Sequence, residues 1–470
     1  MTSTVLSGRE RFKQHLRKVG SGEHTSKGMS REEAADALNL MLEGEATPAQ
    51  IGAFLIAHRI RRPEPQELTG MLDTYRIHGP VVRSKADQRS PLCFGMPFDG
   101  RTRTAPIYPL TALVLLACGQ PVVLQGGNRM PIKYGVTAID LFRALDLELG
   151  GLPLTAVQDG FDRNGFALIH QPDHFPIAES LISYREELGK RPPVASLELL
   201  WTPHEGEHLL VSGFVHPPTE SRAWEALKLA GETDLLTVKG LEGGTDLPIG
   251  RACITARVRN GAAERLILHP RDHGCHDADV EWSDETTWKT QALDALGNSG
   301  PLRDAVRWNA GAYLWFSGIS ETLDAGVSRA EASLQDGNAM DCLDQLRGWR
   351  SNLSIRQRSK GTPPIVIDSE ARTSQPRRSN RGRLSWLASV RSRSRPSDLA
   401  SSSICASRAL PWPRRASRPR QYNNDKRSLG SRMANAASVP LIQPCPSLSV
   451  RSRTPGNQAR AAQALTCSGV

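Results

Sequence analysis

The sequence predicts an α/β protein: a small N-terminal helical domain, a larger α/β domain with a mostly parallel central sheet, and a disordered C-terminal tail. Three observations predict it. Residues 30–78 carry consecutive helix-start signals. After Pro80, short β-rich runs alternate with stretches of helical spacing. Beyond residue 356 neither period survives. A chain of 470 residues, 39% of them hydrophobic, has the length for more than one domain.

The helical signals come first. Ser30-Arg-Glu-Glu33 is a capping box that opens a helix with Ala34, Ala37, Leu38 and Met41 on one side. Thr47-Pro48-Ala49-Gln50 is a second start, with Pro at the first helical position. The helix from Ile51 to about Ile60 is apolar over most of its surface, as a helix between neighbours should be. Glu67–Tyr75 makes a third. The domain boundaries expected are a basic N-terminal extension over 1–27, the helical domain over 28–80, the α/β domain over 81–356 and the tail over 357–470.

In the α/β region the expected strands are Pro121–Leu124, Phe166–Ile169, Leu209–Val215, Asp234–Val238 and Arg265–Leu268. Helical spacing falls at Leu110–Cys118, Ala138–Leu145, Ile177–Glu187 and Ser221–Ala230, then at Thr287–Leu296, Pro301–Gly318 and Ser328–Leu346. Alternation of this kind argues for crossover connections and a parallel sheet.

The net charge of +10 is unevenly spread. Residues 361–470 hold 19 Lys and Arg against 4 Asp and Glu, so the rest of the chain is mildly acidic. The tail is rich in Arg, Ser and Pro and has too little patterned apolar surface to offset the entropy of ordering. It reads either as an Arg-rich nucleic-acid arm or as a segment without selected structure, such as an out-of-frame extension. No apolar run approaches a membrane span, and the first twenty residues lack the apolar core of a secretory signal. The eight cysteines include no CxxC. A reduced, cytoplasmic protein with no membrane contact is the expectation.

Two glycine-bearing loops each join an expected strand to a helix: Gly95-Met-Pro-Phe-Asp99-Gly100-Arg101-Thr-Arg103-Thr104 and Gly126-Gly127-Asn128-Arg129-Met-Pro-Ile-Lys133. Glycine lets backbone N–H groups approach an anion, and loops at the carboxyl ends of parallel strands share one crevice. Either they form a phosphate cradle, with Arg101, Arg103, Arg129 and Lys133 adding charge, or they are ordinary turns. The run His269-Pro-Arg-Asp-His273-Gly-Cys275-His276-Asp277 has ligand types that suit zinc but reads better as a solvated turn.

With these residues in view, the body resembles anthranilate phosphoribosyltransferase and its relatives, the glycosyltransferase group that also holds the pyrimidine nucleoside phosphorylases. The likeness runs from Gly44-Glu-Ala-Thr-Pro48 and Gln50-Ile-Gly-Ala-Phe-Leu55 through Asp99-Gly100, Gly127-Asn128-Arg129, Tyr184–Arg191 and Val238–Gly243, and ends near Gly348. The resemblance implies transfer of a phosphorylated ribose from phosphoribosyl pyrophosphate to a nitrogen acceptor, a magnesium ion and a homodimer formed through the helical domain. It places the donor on Gly95, Asp99, Gly100, Arg101, Arg103, Thr104, Gly126, Gly127, Asn128, Arg129 and Lys133. It places the acceptor near Arg185 and His174, and the metal on Asp246 and Glu242.

The match has gaps. Where the family reads GTGGD, Pro97 and Phe98 replace two glycines. Gln125 replaces the lysine of KHGNR, and the family's Asp-Glu metal pair aligns with Thr245-Asp246. These changes point to a divergent, anthranilate phosphoribosyltransferase-like branch in which anthranilate itself is not the secure acceptor. A non-catalytic nucleic-acid binder on the same scaffold is the alternative, motivated by the tail, by Arg9–Lys18 and by Arg59, Arg61 and Arg62.

Overall fold

The structure, a computed structural model, describes residues 6–359. The expectations for the Arg/Ser/Pro-rich segment lie outside these residues, except that the last helix, Asn338–Ser359, runs past the expected boundary at 356.

The helical domain holds Arg31–Leu42, Pro48–Arg61 and Pro65–His78, and both capping boxes are formed. At the second, Thr47 Oγ1 accepts the Gln50 N–H at 3.3 Å, while Gln50 Oε1 accepts the Thr47 N–H at 2.9 Å. A fourth helix, Gly8–Val19, belongs to the same unit. It lies in the stretch expected to be a basic extension, so the domain begins about twenty residues earlier than the sequence suggested. Phe12 and Val19 are buried, and the Phe12 ring packs 5.3 Å from that of Phe54. Two of its basic residues face acids: Arg11 lies 3.2 Å from Asp36, and Lys18 pairs with Glu33. The apolar stripe Phe12, Leu16, Val19 is narrow, and the surrounding charges hide it from a compositional reading.

Seven strands form the central sheet, in the order Phe166–His170, Val122–Gly126, Leu92–Gly95, Leu209–Gly213, Asp234–Val238, Cys253–Arg259, Ala262–Leu268. The first five are parallel, with Phe94 level with Leu124 on one side and Val211 on the other. The last two turn antiparallel and close the sheet as a hairpin. Strands buried on both faces need continuous apolar runs, which is why four of the five parallel strands were legible, while the short central one, Leu92–Gly95, was not among the expected spans. Cys253–Arg259 was missed because Thr255 and Arg257 interrupt its run. Both are buried, Arg257 against Asp234 and the Phe316 carbonyl.

Helices cover the sheet, with several departures from the expected spans, among them the short helices Gln171–His174 and Leu197–Leu200. Leu154–Asn164 is an additional helix. The span 177–187 divides into Pro176–Glu179 and Ile182–Leu188. The span 328–346 divides around Gly337, whose φ of +77° ends one helix, Leu323–Gln335, before Asn338–Ser359 begins. The helical domain is pinned to the helix Pro217–Leu229. Thr69 Oγ1 donates to the Ala226 carbonyl at 2.9 Å, and Arg31 Nη1 donates to that of Leu229 at 2.9 Å. Parallel alignment leaves the carboxyl ends of the strands, at Gly95, Gly126, Gly213 and Val238, on one rim, where their loops converge.

Candidate functional site

The two glycine-bearing loops meet on that rim. Arg101 and Val136 exchange both backbone hydrogen bonds, at 3.0 and 2.9 Å, which fastens the first loop to the second. Gly100 makes this possible: its φ is +75°, and a Cβ there would collide with the carbonyls of Gly135 and Val136.

A third segment fills the meeting point. Glu242 stands at φ 53° between Gly240 and Gly243 and sends its carboxylate into the first loop. Oε1 accepts the N–H groups of Arg103 at 2.9 Å and Thr104 at 3.1 Å, and the Thr104 hydroxyl at 3.2 Å. Oε2 accepts the Thr102 N–H at 3.3 Å. Three successive amides aimed at one anion make a nest. Arg101 Nε lies 3.3 Å away and Lys133 Nζ 3.7 Å. Burial pushes this carboxyl up, but the amides, Arg101 and Lys133 outweigh it and hold the pKa down at about 2.

Asp246, 1% exposed, accepts Arg101 Nη1 at 2.8 Å and the Ile107 N–H at 3.0 Å through Oδ2. Burial pushes its carboxyl up against the pull of Arg101. The two acids expected to hold magnesium are thus joined by a guanidinium. Magnesium requires several oxygen ligands in near-octahedral geometry. Glu242 is committed to loop amides and Asp246 to Arg101 and an amide, so the pair does not fit that ion. Among the described residues no group of three or more His, Cys, Asp or Glu is placed to hold a metal. In the histidine-rich turn, His273 pairs with Asp324 and His276 Nδ1 with the Ile249 carbonyl.

Asp99 is fully buried. Its carboxylate pairs with Arg191, with Lys133 Nζ at 3.7 Å and Arg185 Nη2 at 3.9 Å. Arg185, expected near the acceptor, is also buried: it pairs with Glu198 and approaches Met130 Sδ at 3.2 Å. Glu198 in turn accepts the Phe98 N–H at 2.7 Å. His174 is likewise turned inward, with its Nδ1 accepting the His170 N–H at 2.9 Å and its Nε2 bonded to the Leu152 carbonyl at 2.8 Å. Both brace the loops.

The remaining donor-loop residues divide. Gly95 has its strand against the Leu199 carbonyl, so it serves close packing. Gly126 is buried with the Ala138 methyl at contact distance from where a Cβ would stand, and Gly127 carries the Met130 methyl. Arg129 is exposed but paired with Asp140 at 3.0 Å and with Glu285. Arg103, with its side chain 77% exposed, is the most open cation of the set. Asn128 is exposed and its Oδ1 lies 3.1 Å from His170 Nε2, whose other ring nitrogen is 2.6 Å from Asp173. His170 and Glu198 escaped the sequence reading. An Asp three residues after a His on a strand end was the available signal for the first, and nothing local marked the second. Between the loops remains a cavity of about 20 Å³, bordered by Met96, Phe98, Tyr108, Gln125, Glu242 and Thr245. That is space for about one water molecule.

Comparison with known proteins fits this architecture. Residues 13–79 match the helical bundle domain of the glycosyl transferase family and residues 101–340 match its a/b domain. The chain belongs to the glycosyl transferase family. Within that family, an anthranilate phosphoribosyltransferase of Afipia carboxidovorans is 30% identical over 342 residues, covering 71% of this chain and 97% of the relative. One from Methylocella silvestris is 29% identical over 345 residues, covering 72% and 97%. Among solved structures, anthranilate phosphoribosyltransferase from Thermus thermophilus superposes with a TM-score of 0.60 at 23% identity, covering 73% of this chain and 99% of that one. The Saccharomyces cerevisiae enzyme in complex with PRPP and Mg gives 0.61 at 15% identity, covering 73% and 98%. These structural likenesses carry the family fold, helical unit and α/β domain alike. Among the described residues no helix is long and apolar enough to cross a membrane.

Proposed function

We propose that this chain is a phosphoribosyltransferase-like glycosyl transferase, binding phosphoribosyl pyrophosphate or a related phosphorylated sugar and transferring the sugar to an aromatic amine or other nitrogen acceptor. One observation carries the reading: three consecutive loop amides, Thr102–Thr104, already grip a carboxylate. A group built to hold one anion by backbone N–H holds a phosphate oxygen by the same geometry. The donor's phosphate takes the place of the Glu242 carboxylate, with Lys133 and Arg103 beside it.

In such a transfer the ribose–oxygen bond breaks as the ribose–nitrogen bond forms, and negative charge grows on the departing pyrophosphate. Fixed amides and cations aimed at that charge lower the barrier. Asn128, exposed and backed by His170 and Asp173, supplies a further polar contact to the donor. The small cavity and the self-filled cradle favour a second reading, in which the chain keeps the family fold without catalysis. The nucleic-acid alternative loses part of its motive, since Arg11 and Lys18 face Asp36 and Glu33.

Calorimetry with phosphoribosyl pyrophosphate separates the two readings. The donor is expected to bind the full chain, and Glu242→Ala to bind it at least about tenfold more tightly, because the competing anion is gone. No heat from either protein would leave the second reading standing. A homodimer paired through the helical domain and a cytoplasmic location accompany the proposal. Ile60 and Ile77, 76% and 77% exposed, support the first, and five free cysteines among the described residues support the second.

A further inference from the structure

We propose that Arg101 does in this chain the work of a metal ion: anchored by Asp246, its guanidinium is the fixed cation that meets the anion in the amide cradle. The inference rests on the phosphate-cradle reading above and names the counter-charge of that site.

The arrangement has three members in a row. Asp246 Oδ2 accepts from Arg101 Nη1 at 2.8 Å. Arg101 Nε, on the other side of the same planar group, stands 3.3 Å from Glu242 Oε1. That oxygen is the one held by the amides of Arg103 and Thr104. A metal-assisted phosphate site has the same sequence of charges: protein carboxylate, cation, ligand oxygen. Here the cation is covalently part of the chain, and Glu242 occupies the ligand's place.

Every other contact of Arg101 fixes it there. Its backbone is paired on both sides with Val136, its third nitrogen, Nη2, bonds to the Thr104 hydroxyl, and the residue is only 5% exposed. A guanidinium stays charged at any working pH and presents its donors in a rigid plane, so it suits two oxygen partners at once. A divalent cation entering between the same acids would have to displace it or lie against its positive charge. The local sequence is consistent with this exchange: Thr245, a neutral residue, immediately precedes Asp246 and leaves one carboxylate at that turn. One carboxylate with one arginine is a balanced buried pair.

Two measurements test the inference. Calorimetry with phosphoribosyl pyrophosphate is run in excess EDTA and again in excess magnesium. The wild-type affinity should agree within about threefold between the two. Arg101→Met should bind at least about tenfold more weakly in EDTA and recover in part when magnesium is added. Electron paramagnetic resonance of Mn²⁺ with the protein alone supplies a readout independent of donor binding. Wild type should leave Mn²⁺ free, Arg101→Met should capture it, and Arg101→Met with Asp246→Asn should release it again. The inference is overturned if the wild type needs magnesium to bind the donor, or captures Mn²⁺ in a manner that Asp246→Asn abolishes. Comparison of wild type with Asp246→Asn decides this even if Arg101→Met fails to fold. If the donor gives no heat under any condition, the donor assignment falls. Inorganic pyrophosphate in EDTA then tests Arg101 alone, and equal affinity of wild type and Arg101→Met for it would sink the role.

Discussion

Glu242 shows what one side chain does to a loop. Its carboxyl is held near a pKa of about 2, below the ordinary 4.5, by amides and cations that prevail over burial. A depressed carboxyl contributes stability that is complete above its unfolded pKa and lost as pH falls through the folded one. The contribution is on the order of 3 kcal/mol. It should persist down to roughly pH 4.5 and vanish toward pH 2. Denaturant titrations of wild type and Glu242→Gln across that window should show a steep fall for the wild type and a flatter course for the variant, and parallel curves would refute the assignment. At this scale the sequence was only partly legible. Asp99, Arg101 and Glu242 stand out because charged residues beside glycines in a strand-to-helix loop need a reason. Their pairing did not, because Glu242 reaches its amide partners from about 140 positions away. The same distance problem hid Glu198, which braces Phe98 from 100 positions away. It also hid the inward partners of Arg185 and His174, which are Glu198 and the Leu152 carbonyl.

The secondary-structure elements were far more readable than their side-chain partners. Ser30 and Thr47 announce helix starts because a capping box is written within four residues. The parallel strands announce themselves because burial on both faces allows little but apolar residues. Gly8–Val19 and Cys253–Arg259 were missed because charged residues whose partners lie elsewhere in the chain dilute their patterns. The helical unit also depends on one such residue. Glu67 is fully buried, accepts the N–H groups of Met29 at 2.9 Å and Glu64 at 2.6 Å, pairs with Arg61 and lies 3.5 Å from His58 Nε2. It ties two helices to the segment that precedes them. Removing it leaves two amides without their acceptor and Arg61 with Glu64 as its remaining partner. Glu67→Ala should therefore lower stability by about 3–5 kcal/mol, measured by urea unfolding. Loss of less than about 1 kcal/mol would show that solvent replaces the carboxylate.

Across the described residues, helices and sheet act as one support for a rim of loops, with the helical domain fastened through Thr69, Arg31 and Arg76 to the crossover helix Pro217–Leu229 and its end, and through Tyr75 to Phe175 and Trp201. Ile60 and Ile77 face solvent from the helical domain, and pairing between copies would cover them. Light scattering coupled to size-exclusion chromatography should find a dimer, and Ile60→Glu with Ile77→Glu should yield monomers. A monomeric wild type would remove the pairing proposal. The sheet itself ends on Ala262–Leu268, a seven-residue border strand whose side chains are mostly exposed, including Ile267 at 58%. Arg265 pairs with the buried Glu220 and lies across the Trp224 ring while staying partly exposed, and Glu264 is the strand's other charge. An unpaired row of peptide groups is a template onto which another chain can crystallise a strand. Among the described residues, the charges set against such stacking at that border are Glu264 and the partly exposed Arg265.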